Sequence, residues 1–364
     1  MRYTDLFLSF KKFDWLLFIS VLLLCVVGLV TIYSIDSSGL ESFKKQFIFV
    51  LLGIGTMLAL SLFDYRVFKN HSSVLISFYI FSIVLLIVVL FFGYRVHGTM
   101  SWFRIGGVSF QPVELAKIAL IFLLAKYLSL RHIEMYRFRH IVVSGIYMLV
   151  LVGLTCLQPD LGSVFVLVSI WLGIILVAGI KMRHLLILGL IAIVVATSGW
   201  FWFLKDYQKS RIISFMDPQF DPYGQGYNVV QSLIAVGSGS WVGHGLSQAS
   251  QSQLNFLPEQ RTDFIFAAFA EEWGFVGVMF LLSVYAILFW RLIKAALEVN
   301  NNFSKLFISG FIIMMFFHLI INIGMNMSVL PIVGLPLSFI SYGGSNLIVS
   351  FIALGVIQSM RMRS

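Results

Sequence analysis

Charge is scarce in this chain: Asp, Glu, Lys and Arg make up 11% of its 364 residues, whereas 59% are hydrophobic. That balance excludes a soluble domain with a solvated exterior and places the chain among multi-spanning membrane proteins. Cysteine is nearly absent. Cys25 and Cys156 both fall inside apolar runs, so no disulfide framework holds the exterior and cysteine does not report the redox compartment. Also missing are a G-x-x-x-x-G-K-[ST] phosphate loop and an H-E-x-x-H pair, and the glycines at Gly237 and Gly239 fail G-x-G-x-x-G because Val242 holds the last position. These absences disfavour nucleotide-driven pumping and zinc proteolysis. The seven histidines are scattered without ligand spacing. The net charge of +9 is dispersed among short loops instead of forming a stripe, which argues against a nucleic-acid partner.

What the chain has is apolar length. Ten runs approach the ~20 residues needed to cross a bilayer: 15–35, 47–63, 74–92, 113–130, 141–157, 162–180, 184–203, 264–290, 305–327 and 343–360. The expected fold is therefore all-α, one polytopic membrane domain over residues 1–364 with ten transmembrane helices. The first run is too long for a signal-peptide core and lacks a small-residue cleavage site, so it reads as a retained helix. With a cytoplasmic N-terminus, sixteen of the 25 Lys and Arg residues fall inside, from Arg2, Lys11 and Lys12 through Arg137 to Arg361 and Arg363. The short outer loops then hold Lys44, Lys45, Arg95 and Arg104, an asymmetry that puts both termini in the cytoplasm.

This orientation leaves a large extracytoplasmic loop, residues 204–262, between the seventh and eighth runs, where chemistry has no cytosolic ATP. Pro218, Pro222 and the glycines from Gly224 to Gly245 argue against long regular structure there. The exception is Tyr227 to Val236, whose Val229, Val230, Leu233, Ile234 and Val236 recur at helical spacing opposite Asn228, Gln231 and Ser232. That pattern fits a short helix lying on the membrane or packed over the spans.

The loop ends at an acid. In QLNFLPEQRTDFIFAAFAEEWGFVG, residues 253–277, Pro258 blocks an earlier helix, Thr262 is placed to cap a new one, and Asp263 falls in its first turn, where the macrodipole favours an anion. One reading of Asp263 is thus a capping carboxylate. Helical spacing also puts it above Ala267, Ala270, Gly274 and Gly277. Such a small-residue stripe either packs a neighbouring helix closely or forms a groove for a lipidic substrate.

Other charges at membrane depth are few, and each counts as a functional or structural partner. Glu114 and Lys117 lie three residues apart on one helix face, after Gln111-Pro112, and read equally as an internal ion pair or as substrate contacts. Asp160 sits in a Gln-Pro-Asp-Leu-Gly turn and reads first as a turn former. Glu271 and Glu272 lie two turns into the Asp263 helix, at least one of them paired inside the bundle.

The strings QSQLNFLPEQRTDFIFAAFAEEWGFVG, INIGMNMSVLPIVGLPLSFISYGGSN, FQPVELAKI and LQPDLGS together resemble the SEDS family of ten-span cell-wall polymerases, across essentially the whole chain and most closely its RodA branch. The resemblance implies peptidoglycan glycosyltransfer: lipid II is polymerised on the outer face, undecaprenyl diphosphate leaves, and a class B penicillin-binding protein adds the transpeptidase. It carries the essential aspartate onto Asp263, the Glu and Lys after the QP pair onto Glu114 and Lys117, and the QPD aspartate onto Asp160. Two positions depart from the family pattern. Ser101 stands where an Arg commonly precedes Trp102, the nearest basic residue being Arg104, and Arg261 stands where His is frequent.

On this reading Asp263 is the general base of one inverting displacement. A departing diphosphate needs cations rather than a second carboxyl, with Lys117, Arg211 and Arg261 as outer-side candidates. No cofactor is assigned, and a divalent cation, Mg or Mn, is left open as a requirement. The rival readings are a lipid II flippase or ion-coupled transporter, which would use the same spans and intramembrane charges, and a non-catalytic scaffold for which Asp263 is dispensable.

Overall fold

The computed structural model describes residues 12–35, 40–96, 99–131, 138–203, 206–217, 220–221 and 224–363. Arg2, Lys11, Arg137, Pro218 and Pro222 lie outside them. In chain order the helices are α1 (Trp15–Ile35), α2 (Glu41–Leu62), α3 (Arg66–Asn70) and α4 (Ser72–Phe92), followed after a small sheet by α5 (Pro112–Ser129), α6 (Phe138–Leu157), α7 (Leu161–Val177) and α8 (Met182–Ser198). Then come α9 (Asp206–Met216), α10 (Gln225–Ser238), α11 (Ser250–Gln253), α12 (Ile265–Glu298), α13 (Asn302–Asn326) and α14 (Gly344–Met362).

The chain is an all-α polytopic membrane protein. Among the described residues eight helices are long and apolar enough to cross a membrane: α1, α2, α4, α6, α8 with the π-helical turn after it, α12, α13 and α14. The other two expected runs also form helices. α5 carries Glu114, Lys117 and Lys126, and α7 is 17 residues long.

Helices in lipid gain little from burying apolar surface against one another, so close packing must hold them. α13 passes between α5 and α7, and a Cβ on its Gly310 would come within 2.7 Å of Ile174 and 2.8 Å of Ile121. α2 and α14 run side by side, with Gly355 against the Met57 carbonyl. At one end of the bundle a buried acid joins three helices. Asp14 Oδ1 accepts the Leu17 N–H at 3.1 Å, while the carboxylate takes Arg291 of α12 through Nε and Nη2 and also pairs with Arg361 of α14.

Three features stand out against the expected pattern. The short outer loop that holds Arg104 carries an antiparallel sheet of β1 (Tyr94–Val96), β2 (Thr99–Ile105) and β3 (Val108–Phe110), turning between the last two at Gly106-Gly107, both with positive φ. A two-residue hairpin of that hand matches the strand twist and needs glycine. The short helix expected over Tyr227 to Val236 is there as the 14-residue α10, because most glycines of the stretch from Gly224 onward fall at its ends. α10 packs over the spans: Val229 and Ala235 are buried, Val230, Leu233 and Ile234 are exposed, and Ser232 Oγ donates to the Asn326 carbonyl at 2.6 Å.

Third, residues 327–343 cross back into the bundle without helix, and their carbonyls must be satisfied by protein. Asn322 Nδ2 donates to Leu335 O at 2.8 Å, His318 Nδ1 to Pro336 O at 3.1 Å and the Tyr285 hydroxyl to Ser338 O at 2.5 Å.

Candidate active site

α12 starts later than its sequence suggests. Its first residue is Ile265, so Asp263 lies just ahead of the helix in a turn closed by Phe264 N–H to Glu259 O at 3.2 Å. The capping reading of Thr262 and Asp263 is therefore corrected. The Thr262 hydroxyl bonds back to Glu259, reaching its carboxylate at 3.1 Å, as short hydroxyl side chains do when a turn competes with a helix. The missing cap comes from another helix: Asn326 Oδ1 of α13 accepts the Ala267 N–H at 3.1 Å, and its Nδ2 donates to the Asp263 carbonyl at 3.0 Å. Asn322, one turn earlier, gives that carbonyl a second donor at 3.0 Å. Both asparagines are fully buried.

Held by its backbone, Asp263 lies half-buried on the wall of a cavity of about 220 Å³. The returning segment forms the facing wall, where a Cβ on Gly334, at φ +72°, would lie 3.2 Å from Asp263 Oδ2. Tyr342 N–H donates to Arg261 O at 2.8 Å and Ser341 Oγ to Thr262 O at 2.6 Å, locking that segment to the Asp263 turn. The sheet brings Thr99 and Trp102 to the rim, α9 brings Arg211, and α14 brings Ser345 and Asn346.

Glu114 and Asp160 complete the lining. Glu114 Oε1 accepts Lys117 Nζ at 2.8 Å and Oε2 accepts Asn346 Nδ2 at 3.0 Å. Lys117 is fully buried behind it, 3.1 Å from His318 Nε2; the bond from His318 Nδ1 to Pro336 makes Nε2 the acceptor. Asp160 caps α7, taking the Ser163 N–H at 3.0 Å and the Ser163 hydroxyl at 2.8 Å, while Gln111 Nε2 reaches it at 3.1 Å. Desolvation pushes the Asp160 carboxyl above its ordinary range, against the opposing pull of these bonds and of Lys117.

Of the residues singled out from sequence, Asp263, Glu114, Asp160 and Arg211 thus meet at one cavity, Arg211 with a long 3.5 Å contact from Nη1 to the Ile332 carbonyl. Lys117 and Arg261 are not on its lining. Lys117 stands behind Glu114, and Arg261 reaches the other way, to Ser42 Oγ at 2.8 Å.

The small-residue stripe packs and forms no groove: Gly239 sits against Ala270 O and Gly243 against Glu272 O. Glu271 and Glu272 anchor the loop, Glu271 accepting the N–H groups of Gln251 and Ser252 and the Ser252 hydroxyl, Glu272 accepting the Ser34 hydroxyl. The residues missed from sequence are Asn322, Asn326, Gly334 and Asn346. The two asparagines one turn apart in an apolar helix were the available signal.

Among the described residues no three His, Cys, Asp or Glu side chains are grouped to hold a metal ion.

Residues 14–364 match the family model for the cell cycle proteins FtsW, RodA and SpoVE. The chain belongs to this family. Its FtsW/RodA/SpoVE relatives include the peptidoglycan glycosyltransferase MrdB of Escherichia coli K12, 34% identical over 93% of this chain and 91% of that protein. Stage V sporulation protein E of Bacillus subtilis is 36% identical over 94% and 95% of the two chains. Among solved structures, a chain from a peptidoglycan synthase complex, reported for the coordination of polymerization and crosslinking, superposes with TM-score 0.82 at 35% identity over 96% of this chain and 97% of that one. The crystal structure of Thermus thermophilus RodA gives TM-score 0.69 at 28% identity, covering 96% of each.

Proposed function

We infer that this chain is a peptidoglycan glycosyltransferase, polymerising lipid II into glycan strands on the outer face of the bacterial cytoplasmic membrane in the manner of RodA. It crosses the membrane ten times, on α1, α2, α4 to α8 and α12 to α14, with both termini in the cytoplasm. Residues 204–262 form the outer loop, so the Asp263 cavity opens outward. α5 fits this count, since its 18 residues reach about 27 Å and its two buried charges neutralise each other.

The observation that carries the reading is Asp263 itself: its backbone is fixed by two buried asparagines and its side chain stands on a cavity wall with Arg211 nearby. Asp263 takes the proton from the acceptor sugar's hydroxyl as that oxygen attacks the anomeric carbon of the lipid-linked donor. The bond to the diphosphate breaks, the configuration inverts, and undecaprenyl diphosphate leaves toward Arg211. Glu114 and Asp160 shape the wall, Lys117 holds Glu114 from behind, and Arg261 braces the turn.

A cavity of about 220 Å³ lies below the roughly 300–1,000 Å³ of ordinary ligand sites, so it takes the reacting edges of the sugars while the prenyl chains stay in lipid. A class B penicillin-binding protein is the partner that crosslinks the product.

The test is purified protein in detergent with lipid II and no ion gradient. Wild type is expected to make glycan polymer. Asp263→Asn is expected to insert and melt normally but to lose about 10² to 10⁴ in rate. Polymer at the wild-type rate from the variant removes the base assignment, and none from wild type without a gradient favours transport.

A further inference from the structure

A second and larger cavity, about 440 Å³, lies at the opposite end of the same two helices. α5 carries Glu114 at the Asp263 cavity and Lys126 at this one, about 18 Å away along the helix. α13 runs the other way, from Asn302 and Phe303 here to Asn322 and Asn326 beside Asp263. Lys69 and Asn70 at the end of α3 close the lining.

The chemistry of this lining is one-sided. Among the described residues it is lined by Lys69 and Lys126, by Asn70, Asn301 and Asn302 and by Ser129, and by no carboxylate. Among the described residues neither ammonium is paired with an acid; Lys126 Nζ donates to the Lys69 carbonyl. The start of the 25-residue α13 also faces the cavity, adding the positive end of its dipole, with Asn301 capping it through Ser304 N–H at 2.8 Å. Beside it Leu130 is 65% exposed, as a residue in contact with acyl chains would be. Cations at the end of a helix bundle, beside an exposed leucine, form the kind of pocket that recognises a phosphate-bearing headgroup.

We propose that the cavity between Lys69, Lys126 and the start of α13 binds a phosphate-bearing anion, carried on an anionic phospholipid or free in the cytosol.

The full chain in detergent, exchanged into phosphatidylglycerol or phosphatidylcholine and read by native mass spectrometry, tests this. Retention of phosphatidylglycerol above phosphatidylcholine, reduced about fivefold in Lys69→Gln, identifies a lipid headgroup. Equal retention of the two lipids, with a thermal stabilisation by inorganic phosphate that Lys69→Gln abolishes, identifies the free anion. Lys126→Gln is a second variant, accepted only if its melting temperature in the absence of phosphate matches wild type. If neither lipid preference nor phosphate stabilisation changes in Lys69→Gln, the proposal is overturned.

Discussion

Asn326 holds Asp263 by the backbone and not by the carboxylate, donating to its carbonyl at 3.0 Å while accepting the Ala267 N–H that opens α12. The carboxylate thereby stands on the cavity wall while its main-chain carbonyl is held by two asparagine donors. Asn326→Ala leaves the buried Ala267 N–H without its acceptor and the Asp263 carbonyl with Asn322 alone, a stability loss of about 1–3 kcal/mol. If Asn326 positions the base, kcat for lipid II polymerisation is expected to fall about tenfold or more while KM changes little. A KM rise with unchanged kcat would assign Asn326 to substrate binding, and a melting shift alone to structure.

Gly334 faces the same carboxylate from the other wall. Its φ of +72° strains any residue with a Cβ, and that Cβ would stand 3.2 Å from Asp263 Oδ2. Gly334→Ala is expected to cost about 1 kcal/mol in stability through the backbone and to push the carboxylate out of line, so activity should fall further than stability. Comparing specific activity with melting temperature for this variant and for Gly107→Ala, another positive-φ glycine with open space around its Cβ, separates the two effects.

The long elements were legible because apolar length is a local property, and the i, i+3 spacing of Glu114 and Lys117 was enough to suggest their ion pair. The start of α12 was not, since the group that caps Ala267 lies 59 residues away on another helix, and a hydroxyl at Thr262 can turn either way. Residue type likewise made Lys117 and Arg261 candidates for meeting a diphosphate without saying where they point. Tertiary contacts decided that, sending one behind Glu114 and the other toward Ser42. The sheet over the cavity had a local signal, the Gly106-Gly107 pair, hidden by the brevity of its strands.

Asp160 gives a pH dependence with a defined sign. Desolvation raises its carboxyl in the folded state above the unfolded value of about 3.9, so folding takes up a proton between those two values. Its stabilising contribution is complete below about pH 4 and is lost as pH rises through the raised value. Asp160→Asn has no such proton. Melting temperatures measured in detergent from pH 4 to 7 should therefore show wild type losing ground to the variant as pH rises, and parallel curves would rule out the raised carboxyl.

The buried pair of Glu114 and Lys117 separates structure from chemistry. Removing one partner strands a charge in the bundle: Lys117→Met should cost about 3–5 kcal/mol, because Glu114 keeps only Asn346. Removing both charges together, as Glu114→Gln with Lys117→Met, should recover most of that loss, since a buried pair replaced by neutral groups of similar shape is often nearly neutral. Glu114 lines the cavity and Lys117 does not. If Glu114 touches the substrate, the double variant melts like wild type yet makes little glycan; if the pair is only structural, polymerisation returns with the melting temperature.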